Sequence, residues 1–247
     1  MITGNILLLD IETSPIVSYT WGIYEQDVIK RIKTFTILSC AYKWLGGKTQ
    51  ILACDSQSEY SLLRKLRSLL CKADVVIAHN GDSFDIKKIN ARMIVHKLPP
   101  PSPYITIDTK KEARRVAGFD SNALNNLGVD LGEGEKVKHR GFDMWEGCMA
   151  GVRRDWTDMK HYNKRDVDLL ERVYLRLRPW MQTGQSLSDG LTCPKCGSSC
   201  LQQRGFQRNR LTVMQRLQCQ DCHGWSRCKP KSPIPSRITT KIAPPHH

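Results

Sequence analysis

The chain has 247 residues, 38 of them Lys or Arg and 24 Asp or Glu, for a formal net charge of +14. That length accommodates one core domain of about 180 residues and a small module, and the positive excess points to a polyanionic partner. No apolar run reaches the roughly 18 residues that a membrane span needs, so no membrane partner is expected.

The first informative stretch is Ile6-Leu7-Leu8-Leu9-Asp10-Ile11-Glu12-Thr13. Its apolar run reads as a buried strand. Asp10 and Glu12 lie two residues apart, so on an extended chain both side chains point the same way. Neighbouring carboxylates repel each other unless a cation lies between them. Mg²⁺ is held in this manner, by one or two carboxylates together with substrate phosphates. Glu12 alone also suits a strand end before a Ser14-Pro15 turn.

Residues 13–34 form a long connection with Tyr19, Trp21 and Tyr24 beside Lys30, Arg31 and Lys33. Such rings and cations suit unpaired bases and phosphates, and Trp21 equally suits the cover of a core edge. Thr36 to Trp44 reads as a strand, Gly46-Gly47 as a turn and Thr49 to Cys54 as the returning strand. Ser58 to Cys71 carries leucines at helical spacing.

Asp74 to Ala78 is a second buried strand, followed by a Gly turn and a helix from Asp85 to about Lys97. Ser83 or Asp82 is the expected N-cap, with Asp85 in the first turn, where an acid also complements the helix dipole. Asp108 ends a further strand and reads as a helix N-cap. Gly132 to Gly141 reads as a mobile loop, in which Lys136, Lys138, His139 and Arg140 either touch phosphates or are simply solvated. The stretch from His161 to Leu170 opens a helix running to Arg178, before Pro179. Tyr162 and Asp166, four residues apart, share a helix face; Asp168 lies off that face.

Taken in order, Asp10-x-Glu12, Asn80-Gly81-Asp82-Ser83-Phe84-Asp85 and Tyr162-x3-Asp166 resemble the three motifs of the DEDD exonuclease superfamily over roughly residues 1–180. The wording is similar to the proofreading domains of family-B DNA polymerases, without a polymerase domain. The third motif also fits as His161-x4-Asp166. The two spacings imply different partners for the attacking water: an imidazole that takes its proton, or a phenol that positions it. Tyr162 is the preferred reading because it lies on the Asp166 face. The resemblance implies a ribonuclease H-like α/β fold, a mixed five-stranded sheet flanked by helices. It also implies two Mg²⁺ or Mn²⁺ ions held by Asp10, Glu12, Asp85 and Asp166, with Asp85 reaching the second ion through water, and release of nucleoside monophosphates from a 3′ end.

Residues 181–192 read as a polar linker, 193–228 as a zinc ribbon and 229–247 as a disordered, basic, Pro-rich tail. Cys193-x2-Cys196 and Cys219-x2-Cys222 supply four thiolates to one structural Zn²⁺; Cys200, Cys228 and His223 are spare. Residues 181–247 carry 10 Lys and Arg against 2 acids, or +8, while residues 1–180 carry 28 against 22, or +6. Arg204, Phe206, Arg208, Arg210, Arg216, Trp225 and Arg227 interleave cations with rings, as nucleic-acid binding requires; a protein-docking ribbon is the competing reading. The absence of a targeting segment and the zinc thiolates argue for a cytoplasmic setting, the host's cytoplasm for a viral protein.

The expected function is a metal-dependent 3′→5′ exonuclease acting on DNA, single-stranded or with a 3′ end, in replication, repair or recombination, for a virus or mobile element among others. An exoribonuclease acting on RNA and a non-catalytic nucleic-acid adaptor are the alternatives.

Overall fold

The computed structural model describes residues 5–24, 27–181, 191–208 and 213–229. They belong to two compact units, Thr3–Thr183 and Gly184–His247 with Met1–Ile2. The expected linker lies mostly outside the described residues, as do Arg210 and the tail after Lys229.

The first unit is a five-stranded sheet in the order β5-β4-β1-β6-β7. Its strands are β1 (Ile6–Thr13), β4 (Ile37–Trp44), β5 (Gln50–Ala53), β6 (Val75–Ala78) and β7 (Ile105–Asp108). A separate pair, β2 (Val17–Tyr19) and β3 (Lys30–Lys33), interrupts the chain between β1 and β4. β4 runs antiparallel to β1 and to β5, whereas β6 is parallel to β1 and β7 to β6. The sheet is therefore mixed, as expected for the ribonuclease H-like α/β class.

Helices α1 (Glu59–Lys72), α2 (Asp85–Val95), α3 (Thr109–Val116), α4 (Leu124–Asp130), α5 (Asp143–Met149) and α6 (Arg153–Leu177) accompany it. Leu7 and Leu9 pack with leucines of α1, whereas Leu8 packs with Val167, Leu170 and Tyr174 of α6. Both faces of β1 are thus covered, which is why its sequence is continuously apolar rather than alternating. Side chains alternate along a strand, so Asp10 and Glu12 continue the Leu8 side and emerge toward α6. Each fully buried leucine contributes on the order of 2 kcal/mol. The core supports the acid-bearing strand end without help from the acids themselves.

Local chemistry sets several element ends. Ser58 caps α1 through its hydroxyl, and Asp108 caps α3 by accepting from the amides of Lys110 and Lys111. Neither Ser83 nor Asp82 caps α2: Phe84 occupies the cap position with no side-chain bond. The amides of Ser83 and Phe84 instead turn back to the Asn80 carbonyl, and Asp82 pairs with Lys111 at 2.7 Å. The turn is tight: Asn80 is left-handed, with φ of 64°, and a Cβ on Gly81 would lie 2.4 Å from that of Ala78.

α6 begins at Arg153, not near His161. Trp156 and Met159 extend its buried stripe toward the N-terminus, so Tyr162 and Asp166 lie in mid-helix. Residues 132–141 form no regular element, yet they are tied down. Asn125 accepts from the Lys136 amide at 2.8 Å, and the Glu133 carbonyl accepts from Arg172 at 2.8 Å.

The second unit contains a three-stranded antiparallel sheet, β8 (Leu201–Arg208), β9 (Val213–Cys219) and β10 (Trp225–Cys228), with β9 central. Gln215, Leu217, Cys219, Ser226 and Cys228 alternate inward, leaving Arg216 and Trp225 exposed.

Candidate functional site

Three of the four predicted acids meet. Asp10 and Glu12 from β1 and Asp166 from α6 each offer an oxygen, and the three oxygens lie within 4.8 Å of one another. Asp85, in the first turn of α2, is buried beside them but outside that triad. One of its oxygens accepts the Ile11 amide at 3.0 Å, which ties α2 to the backbone between Asp10 and Glu12.

The residue that locks this arrangement is Asn163, which sequence reasoning passed over. Its amide nitrogen donates to Asp10 Oδ2 at 2.6 Å and approaches the Asp10 carbonyl at 3.2 Å. Its Oδ1 accepts from the Ser39 hydroxyl at 3.0 Å and the Ala41 amide at 2.8 Å. One fully buried side chain thereby joins α6, β4 and β1. The available signal was a polar residue three positions before Asp166, on the same helix face, within an otherwise apolar stripe.

Burial of the acids disfavours their charged forms, and they disfavour one another's. Asp10 is raised well above the usual carboxylate range, first by burial and then by Asp85, Glu12 and Asp166. Glu12 is pushed up to about 8 by burial, then by Asp166, against the pull of Lys136. Asp85 rises to about 7, chiefly through burial, despite its bond from Ile11. Asp166 is also raised by burial, with Lys136 opposing.

The only ammonium bonded to these acids among the described residues is that of Lys136. It pairs with Asp166 Oδ2 and donates to the Tyr162 hydroxyl at 3.2 Å. Burial works against its charge, yet Asp166 and Tyr162 hold its pKa above the ordinary lysine value. The second Asp166 oxygen is buried without a hydrogen-bond partner. Crowded carboxylates, an orphaned oxygen and one cation already drawn in make a donor set suited to hard divalent ions.

Tyr162 lies on the Asp166 side of α6 and is buried, whereas His161 is exposed. The Tyr162 ring rests edge-on against His139, with centroids 4.7 Å apart, and against Trp145 at 6.3 Å. Burial, then Asp166, pushes its phenol up to about 12. His161 and Tyr162 both line a cavity of about 300 Å³, together with Lys138, His139 and Arg140. Arg140 pairs with Asp155 rather than reaching the acids.

In the second unit the sulfurs of Cys193, Cys196, Cys219 and Cys222 all lie within 4.8 Å of one another. Cys193 and Cys222 approach to 3.8 Å, and Cys196 and Cys219 to 3.6 Å. Tetrahedral Zn²⁺ with bonds of about 2.3 Å spaces its sulfurs about 3.8 Å apart, so the cluster fits zinc. The residue after each knuckle is left-handed, Gly197 with φ of 81° and His223 with φ of 57°. These turns bring Gly197 N–H to the Cys193 carbonyl at 2.8 Å and Cys219 N–H to the Gly224 carbonyl at 3.0 Å. Cys200 and Cys228 stand outside the four, and none of the ten cysteines forms a disulfide.

The predicted nucleic-acid residues of this unit divide. The Arg216 guanidinium covers the Trp225 ring at 4.7 Å, and Arg227, paired with Arg216 across the sheet, donates to Gln207 at 3.3 Å. Arg204 and Phe206 are exposed on β8, which ends at Arg208, and Arg210 falls outside the described residues.

A family model of the RNase_H superfamily, RNase_H_2, matches residues 7–178. No curated protein matches the chain. Among solved structures, the family B DNA polymerase from the hyperthermophilic archaeon Pyrobaculum calidifontis is similar at 13% identity with a TM-score of 0.49. That similarity covers 72% of this chain and 25% of the polymerase chain.

Proposed function

This chain belongs to the RNase_H superfamily, and on that premise we propose that it is a metal-dependent 3′→5′ exonuclease that hydrolyses DNA, carrying a zinc ribbon that binds nucleic acid. The observation that carries the reading is the meeting of Asp10, Glu12 and Asp166 within 4.8 Å. Those three acids, with Asp85 alongside, would hold two Mg²⁺ or Mn²⁺ ions. When bound, such ions supply a water of lowered pKa and stabilise charge on the leaving 3′ oxygen.

The remaining steps belong to the protein's own groups. Asn163 fixes the Asp10 carboxylate by donating to it, so the acid meets its ligands in one orientation. The Ile11–Asp85 bond does the same for the opposite wall. Tyr162, with its phenol near 12, stays protonated at neutral pH. It therefore orients the attacking water by hydrogen bonding and does not remove its proton. Lys136 keeps positive charge beside Asp166 where a phosphate must enter.

Cys193, Cys196, Cys219 and Cys222 would hold one Zn²⁺ as a closed structural site. The Arg216–Trp225 pair and Arg227 are the groups offered to the nucleic acid.

The test incubates end-labelled single-stranded DNA, duplex DNA and RNA with Mg²⁺ or Mn²⁺. Stepwise shortening of 5′-labelled DNA, lost on chelation and in Asp10→Ala, is expected. Preference for RNA would move the assignment to an exoribonuclease. No digestion of any substrate would leave the adaptor reading.

A further inference from the structure

We infer that the β2–β3 arm and the cleft at its base form a track that leads a single DNA strand to the acidic site; this deepens the exonuclease reading and rests on it. The arm follows β1 directly. Tyr19 is 62% exposed, and Trp21, at 90%, is close to the state of a free side chain. Two-stranded hairpins are marginal on their own in water, and this one is anchored at its root. The Ser14 amide donates to the Thr36 carbonyl and the Thr36 amide to the Ser14 hydroxyl, both at 2.9 Å.

The register gives the arm a working face. Tyr19 stands opposite Lys30 and Val17 opposite Lys33, and cross-strand partners share a face. Lys33 also lines a cleft of about 710 Å³, together with Ser14 and Thr36 at the arm's root and Arg153, Trp156 and Lys160 of α6. The face carrying Tyr19 and Lys30 therefore continues into the cleft. The one acid lining it, Asp55, is engaged by Lys160 at 2.6 Å, which leaves Lys33 and Arg153 as positive excess.

None of the site's acids lines the cleft, but β4 and α6 contribute residues to both. Its wall residue Leu38 precedes Ser39, whose hydroxyl bonds Asn163, the residue that fixes Asp10. Lys160 lies on the helix that carries Asp166. The volume is in the range of sites that take a nucleotide-sized ligand.

The chemistry favours a nucleic-acid strand over a protein. Exposed rings beside cations stack on unpaired bases and hold phosphates; rings are common at protein interfaces too, but lysine is depleted from their cores. Strands β2 and β3 carry Lys30, Arg31 and Lys33 and no acid; the sequence between them adds Glu25 and Asp27, leaving residues 17–33 at a net charge of +1. A duplex offers no free base faces to Tyr19 or Trp21, so the occupant is single-stranded.

The test uses the full chain in an Asp10→Ala background, so that DNA survives the titration, and reads fluorescence anisotropy of a labelled oligothymidylate a dozen nucleotides long. Tyr19→Ala with Trp21→Ala is expected to weaken binding about tenfold or more. Lys30→Ala should lower the slope of log affinity against log salt by about 0.7. Duplex affinity should stay unchanged. With Asp10 restored, the arm variants should slow digestion of the oligonucleotide but not of the nitrophenyl ester of thymidine 5′-monophosphate, which is too small to reach the arm.

Unchanged single-strand affinity overturns the track. So does unchanged affinity with a shift in oligomeric state by light scattering, which would make the arm a protein interface. If the native chain digests nothing, the exonuclease reading falls, while the anisotropy result still decides whether the arm binds a strand.

Discussion

The acidic site and the cysteine cluster each gather groups that could hold a cation, but they stand in opposite relations to the fold around them. Asp10, Glu12 and Asp166 come from elements whose packing rests on buried leucines and Tyr174. The cysteines come from two short knuckles in a unit whose described buried apolar residues are few: Pro194, Leu217 and the cysteines Cys193, Cys219 and Cys228. On the proposed function, a cation at the first site would be a reagent on a finished scaffold. At the second it would be a staple, because a module of about 40 residues buries too little surface to fold unaided.

The largest expected effect lies on the staple side. Zinc binding to such sites is worth about 10–16 kcal/mol at neutral pH, more than a small module can lose. Cys193→Ser, or removal of zinc by a chelator, should unfold the second unit while the first melts as before. Amide exchange by mass spectrometry separates the two, since protection should vanish from β8 to β10 and persist in β1. Protection that survives loss of the metal would make the two sites alike and end the contrast.

The converse substitution should cost activity and spare the fold. Asp10→Ala is expected to lower metal-dependent digestion at least 10³-fold, about 4 kcal/mol of barrier. Its melting temperature should fall little, because burial and crowding already disfavour the Asp10 charge and the Asn163 amide keeps its contact to the Asp10 carbonyl. A variant that loses activity only by unfolding would show that the acids also support the scaffold.

The pH dependence sharpens the same point. Glu12 and Asp85 have folded pKa values of about 8 and about 7, above the ordinary values of 4.5 and 3.8. Between those limits the folded state binds more protons than the unfolded state, so stability falls as pH rises. Metal-free protein should therefore melt lower at pH 8 than at pH 5. Mn²⁺ should raise the melting temperature more at pH 8, where the acids are closer to ionised. Glu12→Gln should flatten the metal-free profile. A metal-free melting temperature that climbs through this window would contradict the assigned shifts.

These contrasts were unevenly legible in the sequence. The apolar run ending in Asp10-x-Glu12 exposes its own logic, because a strand buried on both faces must be continuously apolar and its polar end must face something. The Cys-x2-Cys pairs are equally readable, since ligand spacing is local. What stayed hidden depends on distant contacts. Asn163 looks like any helical polar residue until β4 and β1 supply the Ser39 hydroxyl, the Ala41 amide and the Asp10 carboxylate. Lys136 reads as a loop cation until α6 brings Asp166 to it. The start of α6 was missed because Arg153 and Arg154 carry no capping signal, and Trp156 and Met159 become a stripe only against α5 and β4. The exposed arm between β1 and β4 could not be told from a core-covering segment, because periodicity does not reveal which of two faces has a partner.

Asn163→Ala tests the hidden link. It would strand the Ala41 amide and the Ser39 hydroxyl in the core and free the Asp10 carboxylate. Unpaired buried groups cost about 1–3 kcal/mol each, and loss of a ligand's supporting bond costs about 10–100-fold in metal affinity or activity. Both losses should appear together, in the melting curve and in the metal titration. A drop in stability without weaker Mn²⁺ dependence would make Asn163 a packing residue only.

The smallest effects would separate the two residues that the proposed function offers to the attacking water. Tyr162→Phe keeps the ring against His139 and Trp145, so stability should change by less than about 1 kcal/mol. It removes only the hydroxyl, and a group that orients rather than ionises should cost about tenfold to a hundredfold in kcat, with KM little moved. The shape of the pH–rate profile should persist, because a phenol near 12 does not titrate within the working range. His161→Ala should change neither parameter, since that imidazole is exposed while Tyr162 and Asp166 share the buried side of α6. An acid limb that disappears in His161→Ala, with Tyr162→Phe unaffected, would transfer the role to the imidazole and require α6 to rotate in the working enzyme.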